Sequence, residues 1–250
     1  MIANRDLNRA CAQRRALKVI SGLQNFDRDR VLAVVRAATA GGATLIDIAA
    51  DADLIRAARQ QTSLPICVSA VTAERLAMAV AAGADLVEIG NFDSFYAQGR
   101  RFEAPEVLDL TRQTRALLPT TTLSVTVPHI LSLDQQVDLA LELVAAGADL
   151  IQTEGGTSST PHSPGVLGLI EKAAPTLAAA HSIARAVDVP VLCASGLSAV
   201  TVPMAIAAGA AGVGVGSAVN RLESEVAMVA AVRSLVDALA QPAYKQSFSA

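Results

Sequence analysis

Four segments of this chain can be laid over one another. They are GGATLIDIAAD (41–51), AAGADLVEIGN (81–91), AAGADLIQTEG (145–155) and AAGAAGVGVGS (207–217). Each runs from a glycine that closes a helix, through alanine, into a short apolar strand. Gly83 and Gly147 stand 64 positions apart, and Gly147 and Gly209 stand 62 apart. Each interval has room for two strand–helix units of about 31 residues, an ordinary size for a βαβ repeat. Further apolar runs at 17–22, 66–71, 123–127 and 191–195 supply the intervening strands. Eight strands alternating with eight helices imply a parallel α/β architecture. The count of eight implies closure into a (β/α)8 TIM barrel, expected as one domain over 1–240. Residues 4–15 carry Leu7, Ala10 and Cys11 on one side. They are expected to form an N-terminal helix that caps the bottom of the barrel. Residues 241–250 have no periodicity and are expected to be a flexible tail. Asp27, Asp51, Thr72 and Ser132 stand where helices should start.

Composition suits this architecture and narrows the partners. Hydrophobic residues make up 52% of the chain and charged ones 17%, which calls for a large core. A net charge of −3 offers no basic field, so nucleic acid is not an expected partner. Cys11, Cys67 and Cys193 are odd in number and widely spaced, which fits a reducing compartment and argues against a disulfide framework. The opening residues MIANRDLNRACAQRR hold no signal-peptide core. The apolar stretch 200–219 contains Pro203 and four glycines, so it reads as core and no membrane partner is expected.

The strongest functional signal lies between 188 and 221. One strand there ends in Ser195-Gly196 and the next in Gly216-Ser217, each opening a helix. Such turns present backbone N–H groups to an anion, and the seventh and eighth strands of this barrel type commonly hold a phosphate. The expected phosphate-binding residues are Ser195, Gly196, Gly216 and Ser217, with Gly155 and Gly156 from the sixth strand's turn. The repeat also fixes register. Leu45, Leu86, Leu150 and Gly212 are equivalent; Asp47, Glu88, Gln152 and Gly214 follow two residues on; then Ala49, Gly90, Glu154 and Gly216. Side chains alternate along a strand, so each set shares a face. Asp47, Glu88 and Gln152 should therefore form one lumen layer, with Glu154 nearer the mouth. The odd strands should add Cys67 and Ser69, Ser124 and Thr126, and Cys193 and Ser195.

These polar groups have two readings. Glu88 and Glu154 are candidate acid–base groups, with Lys18 and His129 as electrophile or proton shuttle, and Asp47 beside them. A buried structural network of Asp47 and Glu88 is the plain alternative. Lys18 suits a Schiff base, but a lumen salt bridge to Asp47 is favoured over it. Ser69, Thr126, Gln152, Thr157, Ser158 and Arg100 are candidate substrate contacts. His162 lies in a Gly/Ser/Thr/Pro-rich loop, and His181 is expected to be packed in a helix. The loop 91–105 holds three of the five phenylalanines and one of two tyrosines, and its aromatics suggest a subunit contact and a homo-oligomer. No His-x-His or Glu-x-x-His spacing occurs, so no metal is expected.

Several blocks together carry a resemblance. ALKVISGLQNFD (16–27), PICVSAV (65–71), EIGNFDSFYAQGRRF (88–102), LSVTVPH (123–129), IQTEGGTSS (151–159) and VLCASGLS (191–198) are similar to the uncharacterised hypothetical-chloroplast-frame (ycf) family of cyanobacteria and plastids. The resemblance implies an aldolase-type TIM barrel in the cytoplasm or plastid stroma. It implies no catalytic residues. The residues themselves lead to a small phosphorylated metabolite as ligand and a metal-free lyase, isomerase or synthase. No cofactor is firmly implied. The alternatives are a flavin-mononucleotide (FMN) oxidoreductase and a non-catalytic metabolite-binding or assembly protein.

Overall fold

In the computed structural model of the protein, residues 2–155 and 159–240 are described. Eight strands close into one parallel barrel in sequence order: β1 (Ala16–Ile20), β2 (Leu45–Ala49), β3 (Ile66–Ala70), β4 (Leu86–Ile89), β5 (Thr122–Thr126), β6 (Leu150–Gln152), β7 (Val191–Ala194) and β8 (Gly212–Val215), with β8 pairing back onto β1. Every pairing is parallel because a helix carries the chain back between strands. Every strand residue is buried, one face by the lumen and the other by helices. Among the described residues no helix is long and apolar enough to cross a membrane. The tail 241–250 lies outside the described residues.

The helix starts follow local chemistry. Asp27 accepts from the Arg30 amide ahead of α2 (Arg28–Gly41), and Asp51 from two amides ahead of α3 (Ala52–Arg59). Ser132 and Gln135 make a reciprocal capping box on α7 (Leu133–Ala145). Thr72 stands ahead of α4 (Ala73–Ala81) without a side-chain cap bond.

The lumen is graded from dry to polar. At the bottom, Ala16, Leu45, Cys67, Leu86, Leu150 and Leu192 pack together. The N-terminal helix α1 (Arg5–Ala12) closes this end by pushing Leu7 and Cys11 into the same cluster. One register expectation fails on β7. Cys193 points outward, with its thiol toward Thr176 of α8 (Gly165–Ala184), and Leu192 and Ala194 face the lumen instead. The cause is Ser195. It sits at φ 78°, outside the strand, so its side chain cannot be counted back along β7 by simple alternation.

Leu7 is fully buried as the plug of the lower lumen. Leu7→Ala is expected to cost about 2–5 kcal/mol in urea unfolding, as core truncations do. A change within experimental error would mean that α1 does not close the barrel.

Candidate active site

Above the apolar plug lies a sealed layer of charge. Lys18 of β1 reaches across the lumen and donates to Glu88 Oε2 on β4 at 2.6 Å and to Gln152 Oε1 on β6 at 3.1 Å. Asp47 Oδ2 stands 3.6 Å from the ammonium. Ser124 donates to Glu88, Ser69 donates to Asp47, and Gln152 donates to Glu88 and Thr126. All of these side chains are at least 98% buried. Burial alone would lower the Lys18 ammonium, but Asp47, Cys67 and Glu88 hold it well above its ordinary range. Burial pushes the Asp47 carboxyl up to about 6, against the pull of Lys18. Lys18 thus faces the lumen as a fixed ion-pair partner, closer to Glu88 than to Asp47. This geometry leaves it no free amine for Schiff-base chemistry.

The cavity opens over this floor, at the carboxyl ends of the strands. It measures about 490 Å³. One wall is the loop after β1, with Ser21, Gly22 and Asn25; another is the pair of turns after β7 and β8, with Ser195, Gly196, Gly216 and Ser217. The lumen face of β8 carries no side chains, because Gly212, Gly214 and Gly216 alternate there; the cavity reaches Gly216 at that strand's end. A Cβ on Gly212 would meet the Ala16 carbonyl at 2.4 Å, and one on Gly214 would meet Ala194 at 2.9 Å. The chain turns from Gly216 directly into α10 (Ser217–Asn220), whose first amides have no acceptor within the helix.

The opposite wall is a cluster around Glu154. Its Oε1 accepts from Tyr96 Oη at 2.7 Å and from the His129 backbone at 3.2 Å, and lies 3.1 Å from His129 Nδ1. His129 Nδ1 is also 3.3 Å from Asp93 Oδ1, and Ser195 Oγ donates to Asp93 Oδ2 at 2.9 Å. Glu154 is 96% buried, and among the described residues its Oε2 has no hydrogen-bond partner. Burial raises the Glu154 carboxyl, with the His129 contact opposing. For His129, burial favours the neutral ring, but the contacts with Glu154 and Asp93 outweigh it and move the imidazole up. Burial and Glu154 together raise the Tyr96 phenol.

The segment after β4 builds this wall and ties it to the floor. It holds a short helix, α5 (Asp93–Tyr96), where the sequence suggests only a loop. Asn91 takes a left-handed backbone at φ 63°, a conformation asparagine tolerates better than most residues. Its amide reaches Asp47, Ser69 and Glu88 at 3.1–3.2 Å. The aromatics here turn inward: Phe92 stacks on Phe102, both are buried, and Phe95 packs edge-on to Phe102. Phe92 and Phe102 therefore fill the protein's own core, while Phe95 and Tyr96 pack against it half-buried.

The candidate residues thus separate by depth. Glu154, Ser195, Gly196, Gly216 and Ser217 line the cavity, with His129 behind Glu154. Lys18, Asp47, Glu88, Ser69, Thr126 and Gln152 form the floor beneath it. Gly155 packs against His129 and Pro175, away from the cavity lining. Arg100 is exposed over Phe102 and paired with Glu106 outside the cavity. Gly156, Thr157 and Ser158 lie outside the described residues. Asn91, Asp93, Tyr96 and Asn220 are additions that no sequence pattern marked.

A closed parallel barrel with a polar cavity at the carboxyl ends of its strands defines the class: an aldolase-type TIM barrel. Residues 2–245 match the family described as Protein of unknown function (DUF561), and the chain belongs to that family. It is 44% identical over 196 residues to "Uncharacterized protein ycf23" of Cyanophora paradoxa, covering 78% of this chain and 80% of the relative. The like-named protein of Pyropia yezoensis is 42% identical over 186 residues, covering 74% and 68%. Among solved structures, the barrel is similar to thiamine phosphate pyrophosphorylase from Pyrococcus furiosus (TM-score 0.59, 21% identity, 91% of this chain and 96% of that one). It is also similar to (S)-3-O-geranylgeranylglyceryl phosphate synthase from Thermoplasma acidophilum in complex with sn-glycerol-1-phosphate (TM-score 0.63, 15% identity, 96% and 98%). At these identities the likeness is one of fold.

The floor makes a prediction with a sign. Asp47 has a folded pKa above its ordinary 3.8, so the native state binds the proton more tightly and this group's contribution to stability falls as pH rises from about 4 to about 6. Lys18→Met removes the balancing cation. It is expected to cost about 3–5 kcal/mol at pH 7, the range for breaking a buried ion pair. The cost should be clearly smaller at pH 5, where Asp47 takes up a proton. Guanidinium unfolding at both pH values reads it; an equal loss at both contradicts the buried-charge account.

Proposed function

We propose that this barrel binds a small phosphorylated metabolite and acts on it as a lyase, isomerase or synthase. The phosphate would lie at Ser195-Gly196 and Gly216-Ser217. The carbon skeleton would extend toward Glu154. The observation that carries this reading is a cavity with two unlike walls. One wall is glycine turns and a helix start, suited to an anion without a basic side chain. The other is a buried carboxyl with Oε1 held by Tyr96 and His129 and Oε2 left over. A phosphate anchored at one end positions the reacting carbons against the group at the other. Glu154 is the acid–base candidate, because burial raises its carboxyl and favours the proton-carrying form. Glu88 and Lys18 would act from below by fixing the floor, since neither lines the cavity.

The barrels of similar fold add support at the level of class. One is titled a phosphate synthase in complex with sn-glycerol-1-phosphate, and others a 3-hexulose-6-phosphate synthase and a phosphoribosylanthranilate isomerase. Fold likeness alone does not select among such reactions.

A thermal-shift panel of sugar phosphates, triose phosphates and FMN, each beside its unphosphorylated counterpart, tests the proposal. At about a hundredfold excess over Kd, a true ligand stabilises by about 2.7 kcal/mol. For a chain of this size that is a Tm rise of about 5–10 °C. Stabilisation by FMN with a bound yellow chromophore would move the reading to flavin chemistry. Gly216→Asp is the matching variant. Gly216 has φ −112°, and a Cβ there meets nothing closer than 3.4 Å, so the fold should persist. The added carboxylate should abolish the phosphate-dependent shift. No response to any phosphorylated compound would sink the proposal.

A further inference from the structure

We propose that Asp93, His129 and Glu154 form a binding site for one divalent transition-metal ion on the cavity wall. Three loops bring these residues together, from α5, the end of β5 and the end of β6. One ligand atom from each lies within 4.8 Å of the others. No local spacing announces the site, since the ligands are 36 and 25 positions apart.

Distances suit the chemistry. Ligands about 2.1 Å from an ion on neighbouring corners of an octahedron sit about 3 Å from one another. His129 Nδ1 lies 3.1 Å from Glu154 Oε1 and 3.3 Å from Asp93 Oδ1. One imidazole with two carboxylates favours Mn2+, Fe2+ or Zn2+ over Mg2+, which prefers oxygen ligands and retained water. The independent observation is Glu154 Oε2. Among the described residues it is a buried carboxylate oxygen without a hydrogen-bond donor, on a side chain that lines the cavity. A bare cation seated among the three side chains would give this oxygen a partner.

The surroundings resemble an outer ligand shell. Tyr96 Oη and the His129 amide fix Glu154 Oε1, and Ser195 Oγ fixes Asp93 Oδ2. On metal binding the His129 Nδ1 proton is released to solvent, and its lone pair turns from the carboxylates to the ion. Glu154 then serves as a ligand, so the electrophile facing a bound metabolite is the ion rather than a proton on Glu154. The site does not depend on the phosphate reading, because it needs no phosphorylated compound to form.

The test uses chelator-treated full-length protein without any phosphorylated compound. Isothermal titration with Mn2+ and Zn2+ should show one site per chain. Glu154→Gln and Asp93→Asn should each weaken it by about tenfold or more, while Asp53→Asn on the exposed α3 surface should leave it unchanged. Anomalous scattering from Mn2+-soaked crystals of the unaltered chain keeps the proposal testable if the variants fail to fold. A single peak bonded to all three residues supports it. Absence of a peak there, or undiminished one-site binding in both folded variants, overturns it and leaves the phosphate proposal standing.

Discussion

The interior of this barrel depends on one buried ion pair. Lys18 and Glu88 meet at 2.6 Å in a lumen from which water is excluded. Neither charge could stand there alone, because an uncompensated buried ion costs several kcal/mol. Each is therefore surrounded: Glu88 by Ser124, Gln152 and Asn91, and Lys18 by Gln152 and Asp47. The pair is formed by residues 70 positions apart and needs a closed barrel to exist at all. It links β1 to β4 across the lumen, while its partners on β2, β5 and β6 tie in their neighbours.

This arrangement separates support from chemistry by height. The apolar plug with Leu7 closes the bottom, the charged floor fills the middle, and the cavity sits on top. Only the uppermost groups can touch a ligand. The β8 glycines matter here through their missing side chains. Between Ala194, Ile20 and Gln152, a Cβ at Gly214 would already crowd its neighbours, so the lumen is packed below and opens only where Gly216 ends the strand.

The fold was largely legible because the Gly-Ala corners repeat and each corner sets strand register by simple alternation. That rule placed Asp47, Glu88, Gln152 and Glu154 on the lumen face. It fails at Cys193, because Ser195, expected on the same face, has a left-handed backbone beyond the strand and does not share its alternation. The upper wall was less legible. Asp93, Tyr96 and Asn220 stand in four-residue helices, α5 and α10, too short for a period to relate sequence to direction. Their roles come from contacts across 58, 102 or 200 positions. The burial of Phe92 and Phe102 was illegible for a related reason: exposure cannot be judged before the segment is known to fold back on itself.

Asn91 belongs to both levels. Its amide nitrogen touches three groups of the floor, and two residues later Asp93 stands in the wall. The upper loop therefore cannot be exchanged as a free module. A graft that swaps the segment after β4 for that of another barrel would carry away a hydrogen-bond donor from Glu88 and Asp47. New specificity on this scaffold is accordingly easier to introduce through the turns after β7 and β8, where Ser195 bonds to Asp93 of the upper wall.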